Sequence, residues 1–259
     1  MKKMNSIFGH PTRSGMLAVA LCVGFSSCQE REVVPATEEK PEAITLTDYL
    51  VATTGFAAEA IAYDAEKQTF VIDEDILVAE ADVRRRLKSA RGGRTEQWRW
   101  DYLVANAYVT NIDYYFESNV PSSWKRATRL GIDNWNAIND TKLFLRETTN
   151  RSQADVVVRT DYADANWIAQ AYLPLSDGKP GDEITINTKY NSLIDSKKIF
   201  AMTHEMGHTF GLAHTNQTWG VFISGTPSSD PNSVMKASVL AWNGFTGGDT
   251  KAVRTLYPR

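Results

Sequence analysis

A chain of 259 residues with 42% hydrophobic content and seven Trp has ample material for a packed core, as one large domain or as a small one beside a larger one. Its formal net charge of -3 at pH 7 gives no basic footprint for a phosphate backbone, and its aromatic residues do not interleave with basic runs, which argues against a nucleic-acid partner. Two Cys, Cys22 and Cys28, both close to the start, exclude a disulfide framework in the body of the protein.

Residues 1–28 read as an export signal. Lys2, Lys3 and Arg13 precede the apolar run MLAVALCVGF, which is too short for a membrane-spanning helix of about 20 residues. The run ends in FSSCQE, and small residues before a Cys resemble the lipobox of bacterial lipoproteins, in which Cys28 becomes the lipidated first residue. Cys22, behind the bulky Leu21, fits that pattern less well. An ordinary signal peptide cleaved nearby is the alternative. Lipidation implies an anchored protein of the bacterial cell envelope, at the outer membrane or its surface, and cleavage without lipid implies secretion. With both Cys in this segment, thiol catalysis and thiolate metal sites are excluded from the mature chain. Residues 29–43, QEREVVPATEEKPEA, are rich in Glu and Pro and read as a solvated tether.

Residues 44–94 read as a small N-terminal module and linker. LTDYLVATTGFAAEAIAYD (46–64) has helical spacing, and QTFVIDEDILVA (68–79) reads as a strand with acidic turns. RRRLKSARGGR (84–94) is basic and Gly-containing, which marks a boundary. It is either a solvated helix end running into a linker or a proteolytic activation site that frees an inhibitory pro-segment.

The larger domain is predicted over 95–259. AYVTNIDYYF (107–116) reads as a strand, and Pro121 with Ser122 and Ser123 announces a helix. On that helix Trp124, Ala127, Trp135 and Ile138 share one face, as core packing requires. Strands are predicted at LFLRE (143–147), DVVVR (155–159), IAQAYL (168–173) and EITIN (183–187), which makes the fold class α+β.

AMTHEMGHTFGLAHTN (201–216) holds three of the four His in the chain, the fourth being His10 in the export segment. On a helix, His204 and His208 lie one turn apart and about 40° around the axis, so both imidazoles reach one ion. Glu205 projects about 100° from His204, close enough to address a water at the metal without being the obvious ligand. His214 falls on the far side of a continuous helix, but Gly211 lies between, and glycine accepts the left-handed conformation in which helices end. A helix that stops there brings His214 back to the same point. Three neutral imidazoles with an open fourth position are the layout of a catalytic zinc site.

This stretch, H-E-x-x-H-x-x-G-x-x-H, resembles the metzincin metallopeptidase signature, and HEMGH is similar to the dual-action HEIGH metallopeptidase family, with Met206 in place of Ile. The resemblance runs over roughly 98–259. It implies a mixed β-sheet with a helix after the first strand, an active-site helix carrying HExxH, and a C-terminal helix, here TGGDTKAVRTLYPR, capped near Asp249. It also implies a Met-turn at Met235 in PNSVMKAS, forming a floor under the metal; by itself Met235 reads as ordinary core. Residues 168–173 resemble the matrixin edge strand, which pairs with an extended peptide substrate. Two features depart from relatives. Ala237 stands where astacins and serralysins have Tyr, and no His remains for a second, structural zinc. The acidic loops TDYADAN and LSDGKPGD are candidates for Ca2+ that nothing else supports, since such loops are usually solvated turns.

The implied activity is zinc-dependent hydrolysis of peptide bonds in a protein or peptide substrate. Zn2+ on His204, His208 and His214 activates water, and Glu205 serves as general base. Without Cys in the module, inhibition by residues 44–94 cannot use a thiolate on the metal. The competing readings are a cell-envelope binding protein that keeps the zinc fold without turnover, and a processing enzyme for a few partners rather than a general degrader.

Overall fold

The structure, a computed structural model, describes residues 45–87, 98–215, 220–227 and 229–259. The export signal with Cys28, the tether and the later part of the basic run lie outside the described residues. Helix α1 (Leu46–Thr54) starts at a capping box, in which Thr45 Oγ1 accepts from the Asp48 amide at 3.0 Å and the Asp48 carboxylate accepts from the Thr45 amide. It stops at Gly55, whose φ of 74° is the left-handed value that ends a helix. The helical spacing predicted as far as residue 64 is therefore cut short. Ile61–Asp64 forms strand β1 instead, pairing with Thr69–Ile72 (β2), which pairs in turn with Ile76–Ala79 (β3). The predicted strand 68–79 is thus a hairpin, broken at residues 73–75, where Asp73 (φ 53°) and Glu74 (φ 72°) take left-handed conformations.

Helix α2 (Glu80–Leu87) carries the start of the basic run. Its arginines are paired: Arg84 with Glu80, Arg85 with Asp82, and Arg86 with Asp101. Arg86 also stacks 3.8 Å from the ring centroid of Trp100. This end of the helix is held against the next segment by an ion pair and a ring, and only part of it is solvated.

The remaining elements are β4 (Trp98–Arg99), α3 (Asn106–Val109), β5 (Ile112–Phe116), α4 (Ser122–Asn136), β6 (Leu145–Thr148), β7 (Val156–Asp161), β8 (Ala169–Tyr172), β9 (Glu183–Asn187), α5 (Asp195–Thr209), β10 (Val221–Phe222) and α6 (Gly247–Leu256). The strand predicted from residue 107 begins only at Ile112, because Asn106–Val109 closes one helical turn first. Pro121 itself occupies the N-cap of α4, and no side chain caps that helix. Ser123 Oγ instead accepts from the buried Lys198 ammonium at 3.0 Å.

Strands β1 to β3 and β5 to β9 form one eight-stranded mixed sheet in the order β1-β2-β3-β8-β9-β7-β5-β6. β3 joins β8 in parallel, β8 and β9 are antiparallel, and β9, β7, β5 and β6 run parallel. The N-terminal meander is therefore continuous with the sheet of the larger part. β8, expected to offer a free edge to a peptide, is paired on both sides. Helices α4 and α5 pack together, with α5 over β8 and β9. Trp135 of α4 is fully buried between them, and its indole N–H donates to Thr203 O at 2.9 Å. A second apolar cluster joins Leu50, Phe70, Ile72, Ile76, Val78 and Val83 to Trp100 and Leu173 of the later chain. The fold is α+β, with a helix following β5, a helix carrying the His motif and a C-terminal helix. Among the described residues no helix is long and apolar enough to cross a membrane.

Candidate metal centre

The site grows out of the way α5 ends. Gly211 has a φ of 102°, and the Gly211 and Leu212 amides donate to His208 O and Gly207 O, each at 2.9 Å. The chain then doubles back along β4, with the Trp100 amide on Gly211 O at 2.8 Å and the Ala213 amide on Trp98 O at 2.9 Å. That reversal turns His214 towards the helix it has just left. A Cβ at Gly211 meets Tyr102 O at 3.2 Å and Leu103 Cδ2 at 3.1 Å, on top of the unfavourable φ. Gly211→Ala is expected to cost about 1–2 kcal/mol in thermal unfolding, the usual penalty of a left-handed L residue. Zinc affinity should fall with it by about 10–100-fold, as when a ligand loses its support. Competition with a chromophoric chelator measures that affinity, and an unchanged value would break the geometric account.

The structure brings His204, His208 and His214 together. Their Nε2 atoms lie 3.0 Å (204–208), 3.1 Å (204–214) and 3.2 Å (208–214) apart, and all three side chains are buried. Each Nδ1 faces an oxygen: Val234 O from His204 at 2.7 Å, Leu212 O from His208 at 2.8 Å, and Asp73 Oδ2 from His214 at 3.1 Å. Those oxygens only accept, so in the neutral form of each ring Nδ1 carries the proton and Nε2 presents a lone pair to the other two. Three converging lone pairs repel unless a cation sits among them. Zinc fits this donor set: Zn–N bonds of about 2.0–2.1 Å in a tetrahedral arrangement put nitrogens about 3.3 Å apart. Without a metal, burial and the neighbouring imidazoles hold His208 well below its ordinary pKa. Burial acts the same way on His214, but the Asp75 and Asp73 carboxylates outweigh it and hold that imidazole at about 9.

Asp75 joins the three imidazoles, its Oδ2 lying 3.1 Å from His214 Nε2 and 3.5 Å from His204 Nε2. Among the described residues, these four side chains are the group whose donor atoms converge, all within 4.8 Å of one another. Burial alone raises the Asp75 carboxyl, but His214 and His204 hold it below the usual range. Sequence reasoning missed both Asp75 and Asp73. The acidic turn itself is visible in the sequence, but its composition is that of an ordinary solvated turn.

Glu205 is 3% exposed, and its Oε2 has no partner among the described residues. Burial, and then the Asp75 charge, push its carboxyl well above the ordinary value. It borders a cavity of about 220 Å³ whose walls include Trp167, Phe200 and Val239. Met235 is buried against Gly207, between His204 and His208 in sequence, where a Cβ would meet its Sδ at 2.4 Å. The segment before Met235 is tied to α6: Ser233 Oγ and the Val234 amide donate to Asp249 at 2.5 and 3.2 Å. Asp249 also completes the α6 capping box with Thr246, so the predicted cap indirectly steadies the carbonyl that orients His204. In the loops suggested for calcium, Asp164 pairs with Lys189 at 2.8 Å and Asp177 with Lys179 at 3.7 Å.

The family described as dual-action HEIGH metallo-peptidase matches residues 70–219, more than half of the chain, a span that takes in both the His motif and the hairpin bearing Asp75. Among curated proteins no sequence matches. Two solved structures that the chain is similar to are myroilysin and a fish protein. Myroilysin is 11% identical, with a TM-score of 0.41 over 58% of this chain and 84% of that one. The other is high choriolytic enzyme 1, a hatching enzyme zinc-protease from Oryzias latipes, 15% identical, with a TM-score of 0.40 over 60% of this chain and 93% of that one.

Proposed function

Because the chain belongs to the dual-action HEIGH metallopeptidase family, we propose that it cleaves internal peptide bonds of protein or peptide substrates, with zinc on His204, His208 and His214 and Glu205 as general base. The observation that carries this reading is the convergence of three Nε2 lone pairs whose Nδ1 atoms are all engaged elsewhere. A zinc ion held there supplies Lewis acidity towards a carbonyl and makes water more acidic. The rest belongs to the chain. The three Nδ1 bonds fix the imidazole planes before any ligand arrives. Glu205, next to a ligand on the same helix, takes a proton from water on its free oxygen and passes it to the leaving amine. The adjoining cavity, lined by the apolar Trp167, Phe200 and Val239 and by the charged Asp73, Glu74 and Lys236, offers room for one substrate side chain.

The test is metal analysis together with cleavage of a mixed peptide library, run on the full chain and on Asp75→Ala because Asp75 shares the His cluster. One zinc per chain and hydrolysis abolished by a chelator and restored by zinc are expected in at least one of the two. Stoichiometric zinc with no hydrolysis in either would favour the binding-protein reading, and no zinc would overturn the metal assignment. The proposal also anchors the protein in the bacterial envelope through Cys28, tested by incorporation of a labelled fatty acid into wild type but not Cys28→Ser.

A further inference from the structure

We propose that the β2–β3 hairpin is a built-in plug, in which Asp75 adds a fourth protein donor to the metal and β3 fills the edge of β8, so that the protein folded this way is latent. This rests on the zinc reading above. Four protein donors make a closed site, whereas hydrolysis needs an open position. The Asp75 carboxylate lies 3.1 Å from His214 Nε2, and Asp75 lines the same cavity as His204 and Glu205.

The backbone around Asp75 is held as an incoming peptide would be. Ala171 N donates to Asp75 O at 3.0 Å and Leu173 N to Leu77 O at 3.2 Å, while Gln170 Nε2 donates to Glu74 O at 2.5 Å. A substrate that binds by strand addition to β8 must displace these bonds. The turn that delivers Asp75 has two non-glycine residues at positive φ, a local cost sustained by the surrounding contacts. Asp73, in the same turn, orients His214 through Nδ1. The hairpin thus engages the metal set, the outer bond of one ligand and the strand edge together.

The experiment uses the full chain loaded with Co2+ for its visible spectrum and with Zn2+ for hydrolysis. Acetohydroxamate is the probe for an open coordination position. Wild type is expected to bind one Co2+ and to show little spectral change with the probe, whereas Asp75→Asn and Asp75→Ala should shift strongly at the same concentration. Peptide hydrolysis by both variants should rise at least about tenfold, since the competent fraction is no longer limited by the plug. Gln170→Ala, which leaves every metal donor in place, should raise hydrolysis by a smaller factor through a looser hairpin. An equal probe response in wild type and variants overturns the plug, as does hydrolysis that is unchanged or lower in both Asp75 variants with metal bound and thermal unfolding intact. Failure of wild type to bind one Co2+ sinks the zinc reading itself, which separates the two failures.

Discussion

Replacing Glu205 with Ala is expected to lower peptide hydrolysis by about 10²–10⁴-fold, the range for loss of a general base, while bound zinc stays at one per chain. The donors that converge are Asp75, His204, His208 and His214, and Glu205 is not among them. Its Oε2 is buried without a partner among the described residues, so the substitution deletes a desolvated carboxyl and removes no hydrogen bond seen at that oxygen. Ala is also the better helix former. Thermal unfolding should therefore hold steady or move upwards, which a structural role for Glu205 would not allow. The measurement is kcat/KM on one cleaved peptide, in the full chain and in the Asp75→Ala background, with zinc content and Tm on the same samples. Undiminished turnover would remove Glu205 from the chemistry.

How much of this was legible in the sequence follows the range of each interaction. His204, His208, Gly211 and His214 span eleven positions, and one helix and one left-handed residue settle their geometry, so the pattern contains the answer. Asp249 was readable as a cap for the same local reason, but its bonds to Ser233 and Val234 depend on how α6 docks. Asp73 meets His214 across 141 positions, and nothing in VIDEDIL distinguishes a turn inserted into a metal cluster from a solvated one. The error over β8 has the same origin. Its alternation makes it a strand, but whether an edge stays free depends on a partner more than ninety residues earlier. The limits of α1 and β5 were missed for a different reason: Gly55 and the turn at Asn106–Val109 interrupt spacing that otherwise reads as continuous.

His208→Ala is expected to weaken zinc binding severely and, in the Asp75→Ala background, to abolish hydrolysis, and the contrast with Glu205→Ala separates a ligand from a base. His208 is fully buried, its Nε2 is 3.0 and 3.2 Å from the other two imidazole nitrogens, and its Nδ1 occupies Leu212 O. Truncation leaves His204, His214 and Asp75 as a residual donor set, so metal should bind with affinity lower by more than the roughly 10–100-fold typical of losing a supporting contact. Because only the folded chain presents the cluster, zinc stabilises wild type by about 4 kcal/mol at a thousandfold excess over Kd. In His208→Ala that increment should largely vanish at the same zinc concentration, whereas Glu205→Ala should keep it. Thermal scans with and without zinc read the difference directly. If His208→Ala retains the full zinc-dependent rise in Tm, the metal is held elsewhere, and the three-imidazole centre loses its claim on the chemistry.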